Sequence, residues 1–302
     1  MKRLYQVFFI LMILVISACT PESQADDSGD VTTDPAPIEA EFKVMSFNIK
    51  VDATDNLTDT KGWGLRKEAC IEMIRQHEPA IIGLQEATFT NQWLWLKEAL
   101  KDRYNGCGLN RDTGKESGNG EVMGILYDKT VLMRLHHGTF WLSETPDKVS
   151  KSWNSACYRT ATWATFVHID TGKKFIFINT HLDHKSKDAR KNGMKVINDR
   201  FAMYNPEGWP QILTGDFNTT SDNEAFLHIE QTMKNTRSSA PEGKTDNRTT
   251  FNAWKDSNHS IIDHIYVSND VEVLKYATII KKYGQCEFIS DHYPIVAQIR
   301  LD

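Results

Sequence analysis

Cysteine is scarce in this chain, with five among 302 residues and none in C-x-x-C spacing, which argues against a cysteine-built zinc cluster. No run of basic residues interleaved with aromatics occurs, and 35 Lys and Arg stand against 40 Asp and Glu, a formal net charge of -5. The usual mark of a dedicated nucleic-acid channel is therefore missing, although a local basic groove remains open. A Gly-x-Ser-x-Gly elbow is also missing, which removes the common setting for a serine nucleophile. The apolar run from Val7 to Ile16 is shorter than the roughly 20 residues a spanning helix needs.

That run is nevertheless informative. Lys2 and Arg3 precede it and Ile16-Ser17-Ala18-Cys19 follows it, the order of a signal peptide. Its end resembles a bacterial lipobox. The resemblance implies cleavage before Cys19, a lipid anchor on Cys19, and a mature protein exported and tethered to a membrane on the periplasmic or cell-surface side; an ordinary secretory peptide is the alternative. Residues 1–18 are thus read as the signal peptide and 19–40, rich in Pro, Asp, Ser and Thr, as a disordered tether. Residues 41–302 show no composition break and suit one large domain. Within it, Cys70, Cys107, Cys157 and Cys286 allow three disulfide connectivities, among which the sequence does not choose. They are read as structural, with Cys70 a small core residue on a helix.

Strands and helices alternate along the domain. Residues Phe42 to Ile49 alternate as a strand that carries Asn48 near its end, and a polar, glycine-containing loop follows to Gly64. From Arg66 the apolar positions Ala69, Cys70, Met73 and Ile74 recur with helical spacing and stop before Pro79. Ala80 to Leu84 then reads as a strand covered on both faces, delivering Gln85 and Glu86 at its end. Further strands are expected at Val122 to Tyr127, Thr160 to Ile169, Lys174 to Asn179, Gln211 to Leu213, Ile261 to Val267 and Pro294 to Arg300. Helices are expected near Asn91 to Leu100 and Ala189 to Ala202. The fold class implied is a layered α/β sandwich.

Polar runs cluster at the expected strand ends: Asn179-Thr180-His181-Leu182-Asp183-His184, Gly215-Asp216-Phe217-Asn218 and Ser290-Asp291-His292. Strand ends are where α/β proteins build sites. Carboxylates and Asn are hard oxygen ligands suited to Mg²⁺ or Mn²⁺, and histidines nearby can move protons or offset negative charge. Metal-assisted phosphoester hydrolysis fits this inventory best.

Taken in order, Ser46-Phe47-Asn48-Ile49, Leu84-Gln85-Glu86, Asn179-Thr180-His181, Gly215-Asp216-Phe217-Asn218, Ile262-Asp263-His264-Ile265 and Ser290-Asp291-His292-Tyr293-Pro294 resemble the endonuclease/exonuclease/phosphatase superfamily. Exported bacterial members resemble the chain further at Gly138 to Pro146. The resemblance implies a four-layer α-β-β-α sandwich of two packed mixed sheets, with the site at one end. It implies Glu86 as principal ligand of a divalent metal, with Asn48 beside it and Asp291 expected to complete the metal site. Asp216 would orient or deprotonate the attacking water, Asn218 and His181 would contact the phosphate, and Asp263 would fix and charge His292, which faces the phosphoryl oxygens. Arg159 is a candidate phosphate ligand through its forked guanidinium. Lys50 stands where relatives place an acid two positions after the asparagine, so one metal is expected rather than two.

Two other hydrolase patterns lose a necessary group. His181-Leu182-Asp183-His184 is similar to the end of the metallo-β-lactamase H-x-H-x-D-H motif, but Asn179 replaces its first histidine. Calcineurin-like enzymes need an Asp-x-His near the first strand, and none follows Val44. The substrate class expected is a phosphorylated small molecule, sugar or lipid head group, with an exported nuclease on DNA or RNA and a non-catalytic phospho-ligand binder as alternatives. Specificity is assigned to the segments 48–66, 103–121 and 143–158, and Trp63, Trp141 and Trp153 are read either as a substrate wall or as packing against the sandwich.

Overall fold

A computed structural model of the chain describes residues 38–52, 61–255 and 260–302. The expected signal peptide, Cys19 and all but the last residues of the expected tether lie outside the described residues. The compact unit runs Ile38–Asp302. Its elements are β1 (Ala40–Asn48), α1 (Trp63–His77), β2 (Ile81–Thr88), α2 (Leu94–Ala99), β3 (Tyr104–Cys107), β4 (Glu121–Asp128), β5 (Leu132–Trp141), β6 (Thr160–His168), β7 (Lys174–His181), α3 (Lys187–Tyr204), β8 (Gln211–Asp216), β9 (Met233–Asn235), α4 (Thr236–Ser239), β10 (Asp263–Ser268), β11 (Val271–Thr278) and β12 (Ile295–Leu301).

The strands form two six-stranded sheets, ordered β11-β12-β1-β2-β4-β3 and β5-β6-β7-β8-β10-β9. Each is mixed, since β1 pairs parallel with β2 and β7 with β8, while every other named pairing is antiparallel. A parallel neighbour requires a crossover, and α1 and α3 supply it in the two sheets. Ser186 caps α3 by accepting from the Ala189 N–H, and Asp188 lies in the first turn where the helix dipole favours an anion. α1 stops at Glu78, which turns left-handed with φ 48° just before Pro79.

Alternation along the strands sorts the core into three layers. Phe42 and Val44 of β1 meet Phe175 and Phe177 of β7 between the sheets. Met45 and Phe47 point the other way, against Cys70, Met73 and Ile74 of α1. Ile176 and Ile178 of β7 likewise pack on Met194 and Ile197 of α3. The result is the four-layer α-β-β-α sandwich expected, each buried Phe contributing about 1.5–3 kcal/mol.

Several elements differ from the sequence expectation. Residues 89–100 form a π-helical turn, Phe89–Trp93, before the short α2. The strands β3, β5, β9 and β11 were not expected. β5 lies at a sheet edge with Leu135, His136 and His137 exposed and a register shift between Arg134 and His136, so it lacks the alternation of a half-buried strand. Trp63 opens α1 and Trp141 closes β5, both buried, and the Trp141 indole donates to the Arg111 carbonyl at 2.8 Å. Both therefore belong to packing and not to a substrate wall. Cys70, Cys107, Cys157 and Cys286 are all free thiols, and Cys70 is buried on α1.

Candidate active site

The alternation that buries Phe175 and Phe177 between the sheets carries Asn179 and His181 into the same space. On β8, Ile212, Thr214 and Asp216 share that face, and on β1 so do Val44, Ser46 and Asn48. Apolar residues thus give way to a polar layer and then to the site. In the polar layer, Gln85 donates to Ser46 Oγ at 3.1 Å and to Asn179 Oδ1 at 2.7 Å, while Asn179 donates to the Leu84 and Gly124 carbonyls at 2.8 and 2.9 Å. Above it, strand register places His181 beside Asp216 and Asp216 beside Asp263, one row across β7, β8 and β10.

Glu86 reaches the site through a break in the strand. Alternation would aim residue 86 toward α1, but the β2–β4 register shifts between Leu84 and Ala87, and Glu86 adopts φ 61°. The bulge re-aims its carboxylate toward the end of the sandwich. Asn48 Nδ2 donates to Glu86 Oε1 and to Asp216 Oδ2, both at 2.9 Å. Lys50 Nζ lies 3.5 Å from Glu86 Oε2 and 3.1 Å from Asp291 Oδ2. Burial alone would raise the Glu86 carboxyl, but Lys50, the Asn48 amide and the Val51 N–H outweigh it and hold Glu86 below its ordinary value. Glu86, Asp291 and Asp216 supply hard oxygen donors with surplus negative charge, offset in part by the Lys50 ammonium, while Asn48 turns its amide N–H to two of them and its oxygen to the Lys50 N–H. That donor set fits a hard divalent cation.

The second cluster is Asp216, Asp263 and His292, all buried. His292 Nδ1 pairs with Asp263 Oδ2 at 2.8 Å, and its Nε2 lies 3.7 Å from Asp216 Oδ2. Burial would lower this imidazole, but Asp263 and Asp216 outweigh it and raise it to about 10. Asp216 is raised to about 7, chiefly by burial and further by Asp263, with His292 opposing. His181 behaves in the opposite way. Burial, with Arg159 and Arg111 adding, lowers it well below the usual imidazole range. Its Nε2 lies 3.0 Å from Asn218 Nδ2 and 3.4 Å from Asp216 Oδ2. His181 Nδ1 and Asp263 Oδ1 are buried without a hydrogen-bond partner in the structure, where water or substrate can supply one.

Residues 45–292 match the Endonuclease/Exonuclease/phosphatase family. The chain belongs to that family. A family protein of known structure from Bacteroides thetaiotaomicron superposes with a TM-score of 0.81 at 29% identity, covering 88% of this chain and 100% of that one. The mannosyl-6-phosphatase of Bacteroides thetaiotaomicron VPI-5482 superposes with a TM-score of 0.79 at 30% identity, covering 85% and 99%. The CCR4-Not complex 3'-5'-exoribonuclease subunit Ccr4 of Debaryomyces hansenii is 25% identical over 193 residues, 54% of this chain and 23% of that relative. Members of the endonuclease/exonuclease/phosphatase family are phosphoester hydrolases, and the chain takes that reaction class from its family.

The cleft in this family member encloses about 400 Å³ and brings together Glu86, Arg159, His181, Asp216, Asn218, Asp291 and His292. Asn48 and Asp263 sit beneath it and orient its walls. Asn218, at φ 50°, turns back so that its N–H reaches Asp216 Oδ1 at 2.9 Å and its amide reaches His181. Arg159 is committed on two sides: Nε lies 3.4 Å from Asp183 Oδ2, and Nη2 lies 2.9 Å from His184 Nδ1. Lys50, Arg111, Glu121, Cys157, His184 and Phe251 also line the cleft without having been assigned to it by sequence. Arg111, Glu121 and Cys157 do come from the segments marked for specificity. Arg111 pairs with Glu121 at 2.6 Å, and burial raises the Glu121 carboxyl. A larger cavity of about 630 Å³, bordered by Leu65, Trp254 and Phe288, has no converging set of possible metal-ligating side chains among the described residues.

Proposed function

We propose that the chain is a Mg²⁺- or Mn²⁺-dependent phosphoesterase acting outside the cytoplasm on a phosphorylated sugar or similar small head group. The observation that carries this is the row of His181, Asp216, Asp263 and His292 beside Glu86, Asn48 and Asp291 at the end of one cleft. Glu86, Asn48 and Asp291 would hold the ion, which when bound supplies Lewis-acid polarisation of a phosphoester oxygen. Asp216 accepts the proton of the attacking water, a task suited to a carboxylate whose proton affinity is raised by burial and by Asp263. His292, held charged and oriented by Asp263, faces the phosphoryl oxygens as negative charge grows on them. Asn218 and the neutral His181, which now bond one another with the Asn218 amide donating to His181 Nε2, would turn to the same group when it binds, and Arg159 adds a fixed positive charge at the cleft wall.

Three observations favour a small phosphorylated substrate: a cleft of about 400 Å³, the absence of a basic aromatic-lined run in the sequence, and the similarity to a mannosyl-6-phosphatase. Export and a lipid anchor rest on the sequence up to Cys19. Hydrolysis of mannose 6-phosphate, glucose 6-phosphate, a phosphodiester and single-stranded oligonucleotides, compared in one metal-supplemented assay, tests the substrate class. Release of phosphate from the sugar monoesters with intact oligonucleotide is expected. Cleavage of the oligonucleotide with silence on the monoesters would replace this proposal with an exonuclease.

A further inference from the structure

We propose that Lys50 is a tethered competitor for the divalent cation, its ammonium and the ion excluding one another at Glu86 and Asp291. This rests on the metal-dependent function proposed above. The ammonium bridges one oxygen of each carboxylate, at 3.5 and 3.1 Å. The two carboxylate side chains are only 13% and 8% exposed, so without a cation they would face each other and Asp216 in a poorly solvated space. Lys50 supplies such a cation.

The backbone that carries the ammonium is fixed on every side. The Lys50 N–H donates to Asn48 Oδ1 at 3.0 Å, and its carbonyl accepts from Gln92 Nε2 at 2.8 Å and Arg66 Nη2 at 3.2 Å. Arg66 is itself buried and also binds the Ile49 and Ile289 carbonyls, tying the end of β1 to the segment that bears Asp291. Lys50 holds φ 62°, a left-handed turn that a lysine occupies only under such restraint. The side chain is less confined than the backbone: it is 35% exposed and lines the cleft. A cation that takes Glu86 Oε2 as ligand meets the ammonium on the same oxygen, and two positive charges at that separation repel strongly in a site of low effective dielectric. Occupation by the ion therefore requires the Lys50 ammonium to leave. Asn48 has a matching feature, because its amide N–H groups face Glu86 and Asp216 and its oxygen faces the Lys50 N–H. An ion at Glu86 and Asp216 would have to replace these hydrogen bonds.

Calorimetric titration of Mn²⁺ into the metal-stripped full chain and its Lys50→Met variant tests this without any substrate. Met keeps the Cβ and thus the same backbone demand while removing the ammonium; Lys50→Gln serves if Met does not fold. Removal of a mutually exclusive ligand is expected to tighten Mn²⁺ binding by about 5- to 100-fold, the usual span of coupling between two ligands. The melting temperature in chelator is expected to fall, and the rise on adding Mn²⁺ to exceed that of the unmodified chain. Unchanged or weaker Mn²⁺ binding in the variant, with the unmodified chain binding well, overturns the competitor role and leaves the metal site intact. Absence of Mn²⁺ binding in both proteins overturns the metal site and this inference together.

Discussion

In the proposed reaction His292 carries the largest share, because two carboxylates favour the charged form of its buried ring and one of them also fixes its orientation. Replacing it with Gln removes a charged donor from the transition state, and kcat is expected to fall by about 10³ with KM little changed. Asp263→Asn keeps a hydrogen bond to the ring and loses the charge, so a fall of about 10² is expected. The double variant should be no worse than His292→Gln alone, since the two act as one unit, and steady-state kinetics on the three proteins measures this. The sequence made Asp216, Asp263 and His292 legible because each lies inside a short recognisable run, Asp216 closing β8, Asp263 opening β10 and His292 in the segment before β12, where no strand leads up to Ser290 as the sequence had suggested. It did not show Lys50 inside the carboxylate cluster. That position depends on a left-handed turn and on a long side chain folding back, neither of which leaves a pattern in the letters. Arg111 and Glu121 were hidden for a related reason, being a pair ten positions apart whose meeting depends on the loop between them.

At the scale of elements, the two sheets approach closely at Gly83 of β2. A Cβ there would lie 2.1 Å from Thr214 Oγ1 and 2.5 Å from Asn179 Oδ1, both held in the polar layer beneath the site. Neither atom can yield without breaking the network that joins β2 to β7 and β8. Gly83→Ala is therefore expected to destabilise the fold by about 1–3 kcal/mol, as overpacking does. It should also lower kcat, because the same strands carry Glu86, His181 and Asp216; denaturant unfolding with matched kinetics reads both. A variant as stable as the parent would mean that the sheets can separate there. Covered strands such as β2 and β7 were legible as apolar runs, and α1 and α3 as periodic ones. The π turn at Phe89–Trp93 and the edge strands β3, β5, β9 and β11 were not, since edge pairing and a five-residue turn are decided by neighbours rather than by local periodicity.

For the molecule as a whole, buried neutral histidines are expected to weaken the fold as pH falls below neutrality. His264 donates through Nε2 to the Thr219 carbonyl at 3.0 Å and accepts at Nδ1 from Asn235 Nδ2 at 3.3 Å, so both ring nitrogens are satisfied in the neutral form. Burial lowers it from 6.5 to about 4. The folded state thus binds its proton more weakly than the unfolded chain. This contribution to stability is complete above pH 6.5 and is lost as pH falls toward 4, on the order of 3 kcal/mol at about 1.4 kcal/mol per pH unit. The lowered His181 adds in the same direction. Urea unfolding between pH 7 and 4 should show the loss, and His264→Gln should remove about one proton from its slope. An unchanged slope in that variant would assign the acid sensitivity to other groups. The four-layer architecture itself was readable from the order of covered strands and helices together with the six motifs, whereas the loops that shape the cleft were readable only as candidates.

The most direct measurement is phosphate release from a sugar phosphate monoester by the full chain, by Glu86→Gln and by His292→Gln, each with Mg²⁺, with Mn²⁺ and with chelator. Turnover by the unmodified chain that requires added metal, together with its loss in both variants, is the predicted result. Turnover that persists in chelator, or that continues at the unmodified rate in either variant, would contradict a metal-dependent reaction at this cleft.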